Sequence, residues 1–284
     1  MALEYEMIGL IAGGGKFPFM IAESARKKGF GIFAIAHEGE TDPGLSKRVD
    51  KIKWIKLGKF GELLNTLQES GVKKAIMAGT IKKRRMFEGI RPDFKGLILI
   101  SRLTVFHDDK ILRAVANEIE KAGINVVSCA SLMPELLAPS GCLTRRKPTR
   151  DELEDIKLGW KVAKELGRMD VGQCVVVKRK TVLAMEAIEG TDETIRRGGR
   201  LSRGGAIVVK VSKPDQDFRF DIPSVGLQTI EVMREVGASV LAIETGKTLI
   251  FEKDQMIRLA DREKISIISR EWAYSNGKWE SYCR

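Results

Sequence analysis

The stretch near the N-terminus restricts the possible folds of this chain more than any other. Met7-Ile8-Gly9-Leu10-Ile11-Ala12 is a short apolar run that suits a buried strand. Gly13-Gly14-Gly15-Lys16 follows at once, then Phe17-Pro18 and a helical pattern to about Lys28. Pro18 suits a first helical turn, where a missing N–H leaves nothing unsatisfied. Strand, glycine turn and helix in this order present bare backbone N–H groups at a helix N-terminus, which is a ready place for a phosphate. The dinucleotide fingerprint asks for Gly-x-Gly-x-x-Gly. Gly13 and Gly15 fill its first two positions, and Pro18 occupies the third. A nucleotide site and a merely tight turn both stay open at this point.

The alternation continues. Residues 31–36, 53–57, 74–78 and 124–127 read as further strands, and a helix is expected over 60–70. Residues 94–106 are apolar and read as helical, and 110–122 form a strongly amphipathic helix preceded by His107-Asp108-Asp109. Asp108 reads first as a cap or first-turn acid. Strands alternating with helices at short spacing give a parallel sheet with helices on both faces. Ligands of such sheets sit at the carboxyl ends of the strands. Gly13, Gly14, Gly15 and Lys16 occupy one such end, and Gly79 and Thr80 another. Pro139-Ser140-Gly141 and the basic run to Pro148 break the pattern, so a domain boundary is placed at 140/141. The length of 284 residues accommodates two domains.

The second half reads as a mixed α/β domain over 141–284. Thr149-Arg150-Asp151-Glu152 is a helix start, with a cap and then acids in the first turn. Residues 172–178 and 181–185 read as adjacent strands. Glu186, Glu189, Asp192 and Glu193 then crowd together around Gly190 and Thr191. An unpaired carboxylate is costly to bury. Acids at a strand end before a helix start therefore point to a metal, a phosphate-bearing ligand or proton transfer. The competing reading is a charged turn in which Thr191 or Asp192 caps a helix over about 192–197. Phe218-Arg219-Phe220-Asp221-Ile222-Pro223-Ser224-Val225-Gly226 places Asp221 in an otherwise apolar strand end. That acid is either a cap-like group or a functional carboxylate. Val240-Leu241-Ala242-Ile243-Glu244 repeats the strand-then-acid pattern, so Glu186, Asp221 and Glu244 are three acids whose segment ends can converge. The tail 270–284 carries Trp272, Tyr274, Trp279 and Tyr282, for packing on the body or a partner chain, or for a membrane interface.

Composition prunes the functional classes. The net charge of +11 implies affinity for anions, with clusters at Lys82-Lys83-Arg84-Arg85, Arg145-Arg146-Lys147 and around Arg196-Arg197. A thermophile-like charged surface accounts for such an excess equally well. Aromatic residues make up 6% and do not interleave with the basic clusters, which weighs against base stacking. The four cysteines, Cys129, Cys142, Cys174 and Cys283, contain no Cys-x-x-Cys pair, so no zinc site or redox dithiol is signalled. Two histidines rule out a histidine-rich metal centre, and any metal should be held by oxygens, as magnesium, calcium or manganese are. No apolar run reaches the length of a membrane span and no signal-peptide pattern opens the chain, so a cytoplasmic protein is expected. The rival classes are a nicotinamide-dependent oxidoreductase, a basic nucleic-acid-binding module and an ATP-dependent ligase.

Several stretches taken in order resemble one family. They are Ile8 to Gly15 with Pro18, Asp108-Asp109 with Leu112-Arg113-Ala114, Leu136-Leu137-Ala138-Pro139 with Gly141, Met185 to Asp192, and Phe220 to Gly226. Together they are similar to the LpxI family of UDP-2,3-diacylglucosamine pyrophosphatases, over about residues 7 to 268. His107 departs from the family, which commonly has a glycine there.

The resemblance implies hydrolysis of UDP-2,3-diacylglucosamine to 2,3-diacylglucosamine 1-phosphate (lipid X) and UMP in lipid A synthesis. Water attacks the α-phosphorus, and Mg2+ is required. It implies a Rossmann-like parallel-sheet domain over 1–140 for the uridine nucleotide and a mixed α/β domain over 141–284 for lipid X. The family's important aspartate falls on Asp221. On this resemblance Asp221 and Glu186 are the catalytic candidates, and Asp221, Glu189 and Asp192 the metal ligands. Gly13, Gly14, Gly15, Lys16, Gly79, Thr80, Asp108, Gly190, Thr191, Pro223 and Gly226 are the substrate-binding residues. A cytoplasmic homodimer without nucleic acid, in peripheral contact with the inner membrane, is the implied setting.

Overall fold

A computed structural model of the chain describes residues 6–81, 92–101, 108–275 and 278–282. The basic cluster Lys82 to Arg85 and His107 lie outside the described residues, as do the side chains of Asp108, Asp109, Tyr274, Trp279 and Tyr282. The chain divides into two compact units.

The first unit comprises Met1–Pro134 together with the short segment Asp217–Asp221. It carries strands β1 (Met7–Ala12), β2 (Gly31–His37), β3 (Lys51–Ile55), β4 (Lys74–Ala78) and β5 (Asn125–Val126), and helices α1 (Phe17–Lys27), α2 (Phe60–Ser70), α3 (Phe94–Ser101) and α4 (Asp108–Lys121). The strands are all parallel, in the order β3-β2-β1-β4-β5. Leu10, Ala34, Ile35 and Ile76 are completely buried, as the unbroken apolar runs of a strand covered on both faces require. The order reverses between β1 and β4, and the carboxyl edge at such a reversal is the place where these sheets hold ligands.

The second unit comprises Glu135–Gln216 and Ile222–Arg284. Its strands are β6 (Gly141–Cys142), β7 (Cys174–Lys178), β8 (Thr181–Met185), β9 (Ile207–Lys210), β11 (Val240–Glu244), β13 (Ser266–Ser275) and β14 (Lys278–Tyr282), with β10 (Ser224–Val225) and β12 (Leu249–Ile250) as a separate parallel pair. The main sheet runs β14-β13-β11-β9-β7-β8, with β6 against β13. β9, β11 and β13 are parallel, whereas β7 is antiparallel to β9 and β8 to β7. The α/β class and the mixed second sheet agree with the sequence reading.

Alternation along the strands splits the core. Val176, Val208, Leu241 and Ile243 face one apolar layer with Ile195, Ile230 and Met256 from α6 (Thr191–Ser202), α7 (Leu227–Glu235) and α8 (Lys253–Arg262). Val175, Val177, Val209 and Ala242 face the other, with Ile156 and Trp160 of α5 (Arg150–Arg168). Thr149 and Glu152 cap α5 reciprocally: each side chain bonds the other's backbone N–H, at 3.3 and 2.8 Å. Trp272 of β13 is buried in this layer, with its ring 6.4 Å from that of Trp160.

Three elements differ from the sequence expectation. Helix α6 does not stop near Arg197 but continues through Gly198 and Gly199 to Ser202. A Cβ at Gly198 would stand 2.5 Å from Val176 Cβ, so these glycines let the helix approach the sheet rather than end it. Residues 218–220 are a turn, not a strand end, because the Asp217 carbonyl accepts the N–H groups of Phe220 and Asp221 at 3.3 and 3.0 Å. The unit boundary falls at 134/135, and Asp217–Asp221 belongs to the first unit.

Candidate functional site

At the carboxyl edge of the first sheet, the loops after β1 and β4 bond to each other through backbone. Gly13 N–H donates to Ala78 O (2.8 Å), Gly14 N–H to Thr80 O (2.7 Å), and Thr80 N–H to Gly14 O (3.1 Å). A Cβ at Gly13 would lie 2.7 Å from Thr80 O, and one at Gly79, which has φ +97, the same distance from Gly14 O. Two of the glycines therefore serve loop-to-loop contact. Gly15, with φ +86, has open space around it and is exposed, as are Lys16, Gly79 and Thr80. Helix α1 starts at this rim without a side-chain cap, with Lys16 at the N-cap position. A helix N-terminus of this kind favours an anion.

The turn after β2 closes the neighbouring edge. Thr41 accepts the His37 N–H (3.0 Å) and donates to Ala12 O (2.6 Å), which ties this turn to the end of β1. Beside it an open hollow of about 730 Å³ is lined by Glu38, Glu40, Asp42, Ser46 and Trp54 among others. The sequence reading did not single out this hollow. Its signal was an acid directly after the second strand, where parallel dinucleotide folds hold a ribose. His37 is buried, its Nδ1 has no hydrogen-bond partner, and burial lowers its pKa to about 4 against an opposing pull from Glu40.

The segment Asp217–Asp221 is fastened to α4 of the same unit. Arg219 grips Asp217 through Nε (2.9 Å) and Nη2 (2.6 Å), and reaches Asn117 (3.0 Å) and Glu120 (2.7 Å). Burial works to raise the pKa of Asp217, but the Arg219 hydrogen bonds outweigh it and hold the carboxyl below its usual range. Phe220 packs against the first unit's core. Asp221 follows directly.

At the carboxyl edge of the second sheet, strand directions bring together the end of β8, the start of β7 and the ends of β9 and β11. Glu186 and Glu244 therefore share an edge. They are three strand spacings apart, roughly 14 Å, so they are not neighbours. Each is buried and already partnered. Glu186 accepts Gln173 N–H (3.0 Å) and the Thr191 hydroxyl (2.7 Å). Thr191 is thus a donor to Glu186, not the cap of α6; the cap position is Gly190 at φ +82. Glu189 accepts Arg197 (2.5 Å), Thr194 (3.3 Å) and the Ala187 N–H (3.2 Å), and its own backbone N–H and then Arg197 lower its pKa. Asp192 lies in the first turn of α6.

Glu244 accepts from Lys164 (2.7 Å), Lys247 (2.9 Å) and the hydroxyl and N–H of Ser212 (2.7 and 2.9 Å). Burial would raise its pKa, and Lys164 together with the other donors more than offsets that. Burial also pulls the Lys164 ammonium down, yet the short contact and shared donors favour the ionised pair. Lys210, buried, donates to Ser224 O (2.8 Å) just after Pro223, whose own carbonyl accepts Leu249 N–H (2.8 Å). Gly226 precedes α7 with extended backbone. Gly172 has no room for a Cβ against Glu186, so the turns 169–172 and 185–190 lie side by side. They expose Met169, Val171, Met185 and Ile188.

Among the described residues no three His, Cys, Asp or Glu side chains form a group that could hold a metal. A cation at Glu189 would have to displace Arg197. A magnesium ion arriving with phosphates needs only one or two carboxylates of the protein.

Comparison with known proteins covers nearly the whole chain. The model of the LpxI N-terminal domain matches residues 7–136, and that of the LpxI C-terminal domain residues 139–268. The UDP-2,3-diacylglucosamine pyrophosphatase LpxI of Caulobacter vibrioides is 32% identical over 265 residues, covering 89% of this chain and 94% of that protein. Solved structures show a remote likeness. N5-carboxyaminoimidazole synthetase from Staphylococcus aureus with ADP gives TM-score 0.28 and 17% identity over 62% of this chain and 39% of that one. The biotin carboxylase subunit of pyruvate carboxylase gives 0.26 and 14% over 61% and 34%. The chain thus spans little more than a third of those structures, and likeness at this level carries no argument.

Proposed function

The chain belongs to the LpxI family, and from that premise we propose that it hydrolyses UDP-2,3-diacylglucosamine to 2,3-diacylglucosamine 1-phosphate and UMP in lipid A synthesis. The observation that carries this reading is the likeness to a pyrophosphatase over 89% of the chain, across both units. The oxidoreductase reading has less support, since Pro18 sits buried in the first turn of α1 where the fingerprint wants its third glycine.

The geometry supports a division of labour. The rim offers the backbone N–H groups at the start of α1, the Thr80 hydroxyl and the Lys16 cation to the diphosphate. The hollow at Glu38, Asp42, Ser46 and Trp54 lies where nucleosides sit in sheets of this order. In the second unit, the exposed Met169, Val171, Met185 and Ile188 offer apolar surface to the acyl chains. Asp221 orients the attacking water and takes its proton. The water oxygen bonds to the α-phosphorus and the bridging α–β oxygen bond breaks. UMP keeps the α-phosphate, and the acylated sugar leaves with the β-phosphate.

Asp221 and the substrate phosphates would hold magnesium, which supplies neutralisation of the pyrophosphate charge when bound. Glu186 holds the Gly190-Thr191 turn in place. No helix of the described residues is long and apolar enough to cross a membrane. A cytoplasmic homodimer in peripheral contact with the inner membrane, where the lipid substrate lies, completes the reading.

One experiment tests it. Purified protein with UDP-2,3-diacylglucosamine and magnesium should release UMP, and chelator should stop the release. In heavy-oxygen water the label should enter UMP and not the sugar phosphate. Asp221→Asn should cost about a thousandfold in kcat with unchanged thermal melting. Absence of UMP would sink the function, and near wild-type turnover by Asp221→Asn would sink the assignment of the carboxylate.

A further inference from the structure

We propose that Arg219 is a positioning residue for the hydrolysis, because it locks the turn ending in Asp221 onto α4 and so fixes where that carboxylate stands. The inference rests on the reading of Asp221 as the water-orienting group and goes beyond it by naming what holds the group.

A guanidinium carries five N–H donors in a planar fork. Here Nε and Nη2 take the two oxygens of Asp217, Nη2 also reaches Asn117 Oδ1, and Nη1 reaches Glu120 Oε2. Asn117 and Glu120 are a helical turn apart on α4, so one side chain spans both. Arg113 on the same helix adds a longer contact to Asp217 at 3.6 Å. The Asp217 side chain is only 9% exposed, so its pairing is shielded from solvent.

The backbone is held as well. The Asp217 carbonyl accepts the N–H groups of Phe220 and Asp221, and the Phe220 ring packs against the core of the first unit. The first unit takes five residues from the second half of the chain. Asp217, Arg219 and Phe220 are anchors, and the segment ends at Asp221. An anchor with this many partners, placed two residues before the reacting carboxylate, determines that carboxylate's position. A displacement of about an ångström at a reacting group costs on the order of a hundredfold in rate.

Lysine cannot replace the fork, since an ammonium is a point charge. The test therefore uses Arg219→Ala, Arg219→Lys and the milder Asn117→Ala, each alone and with Asp221→Asn. Arg219→Ala is expected to lower kcat about a hundredfold with KM within about threefold. Arg219→Lys should recover part of that loss, and Asn117→Ala should lose about two- to threefold. In the Asp221→Asn background none should lower the residual rate further, because groups acting as one unit are not additive. Amide exchange at Phe220 and Asp221 should speed up in step with the loss of kcat.

Three results would overturn the proposal: losses that multiply with Asp221→Asn, a kcat near wild type despite fast exchange at Phe220 and Asp221, or a fall in melting temperature alone. If Arg219→Ala fails to fold, the other two variants decide by the same criteria. Full turnover by Asp221→Asn itself would overturn the reading beneath the proposal, and is recognisable without any change at Arg219.

Discussion

At the carboxyl edge of the first sheet the chain offers mainly backbone. Glycines let two loops meet, and what stays outside is Gly15 with a lysine and a threonine at the start of a helix. At the carboxyl edge of the second sheet it offers charged side chains, and three of the acids there are already bonded: Glu186 to Gln173 and Thr191, Glu189 to Arg197, Glu244 to two lysines and a serine. The difference teaches that acids crowded at strand ends are not thereby reactive. A carboxylate whose oxygens already accept good donors has little left for a cation or a water. The proposed reactive acid, Asp221, belongs to neither edge but to a short segment clamped on α4.

The largest effect that would break this contrast is expected at Glu244. Glu244→Gln removes the charge that compensates Lys164 and Lys247, and should cost about 3–5 kcal/mol in denaturant unfolding. Adding Lys164→Met should recover a good part of that, because an apolar replacement needs no counter-charge. If Glu244→Gln instead kept full stability and lost hydrolysis, the second edge would be a reactive one and the contrast would fail.

The first edge has one buried titratable group without a hydrogen-bond partner on Nδ1, His37, and it should leave a signature in pH. Its folded pKa is depressed from 6.5 to about 4, so between those values the unfolded chain binds a proton that the folded chain refuses. Stability should therefore fall as pH drops through that window, by roughly 3 kcal/mol at the lower end, and be unaffected above it. His37→Leu should remove this part of the acid sensitivity. Identical unfolding curves for the two proteins across that window would mean that His37 is hydrated or partnered.

Much of the first unit is legible in the sequence. An apolar run, three glycines and a proline at the next helix start leave few alternatives, and the parallel sheet follows from alternation, though not the order of its strands. The second unit is less legible for identifiable reasons. Gly198-Gly199 resembles a helix stop because a sequence does not display Val176 and Val236, against which those glycines pack. Strand β13 is hidden because its buried stretch runs on into Arg270 and Glu271. The acids are visible, but their partners are not: Lys164 lies 80 residues from Glu244, and Glu120 lies 99 residues from Arg219. Asp221 could be singled out without any means of seeing that its segment leaves the second unit.

The smallest of the expected effects gives the finest test of the contrast, at the acid cluster after β8. Thr191→Val keeps the side-chain shape and removes the hydroxyl that donates to Glu186 Oε1. Glu186 is 8% exposed, so water replaces that donor poorly, and the loss should be about 2 kcal/mol of stability. The same change frees one oxygen of the carboxylate to move. Were Glu186 a proton-transfer group, kcat would fall together with stability, because a misplaced acid or base transfers its proton poorly. If Glu186 only holds the Gly190-Thr191 turn, the melting temperature falls while kcat well below that temperature stays near wild type. Stability and turnover separate in the second case and move together in the first. One conservative substitution therefore decides whether the second edge is framework or chemistry.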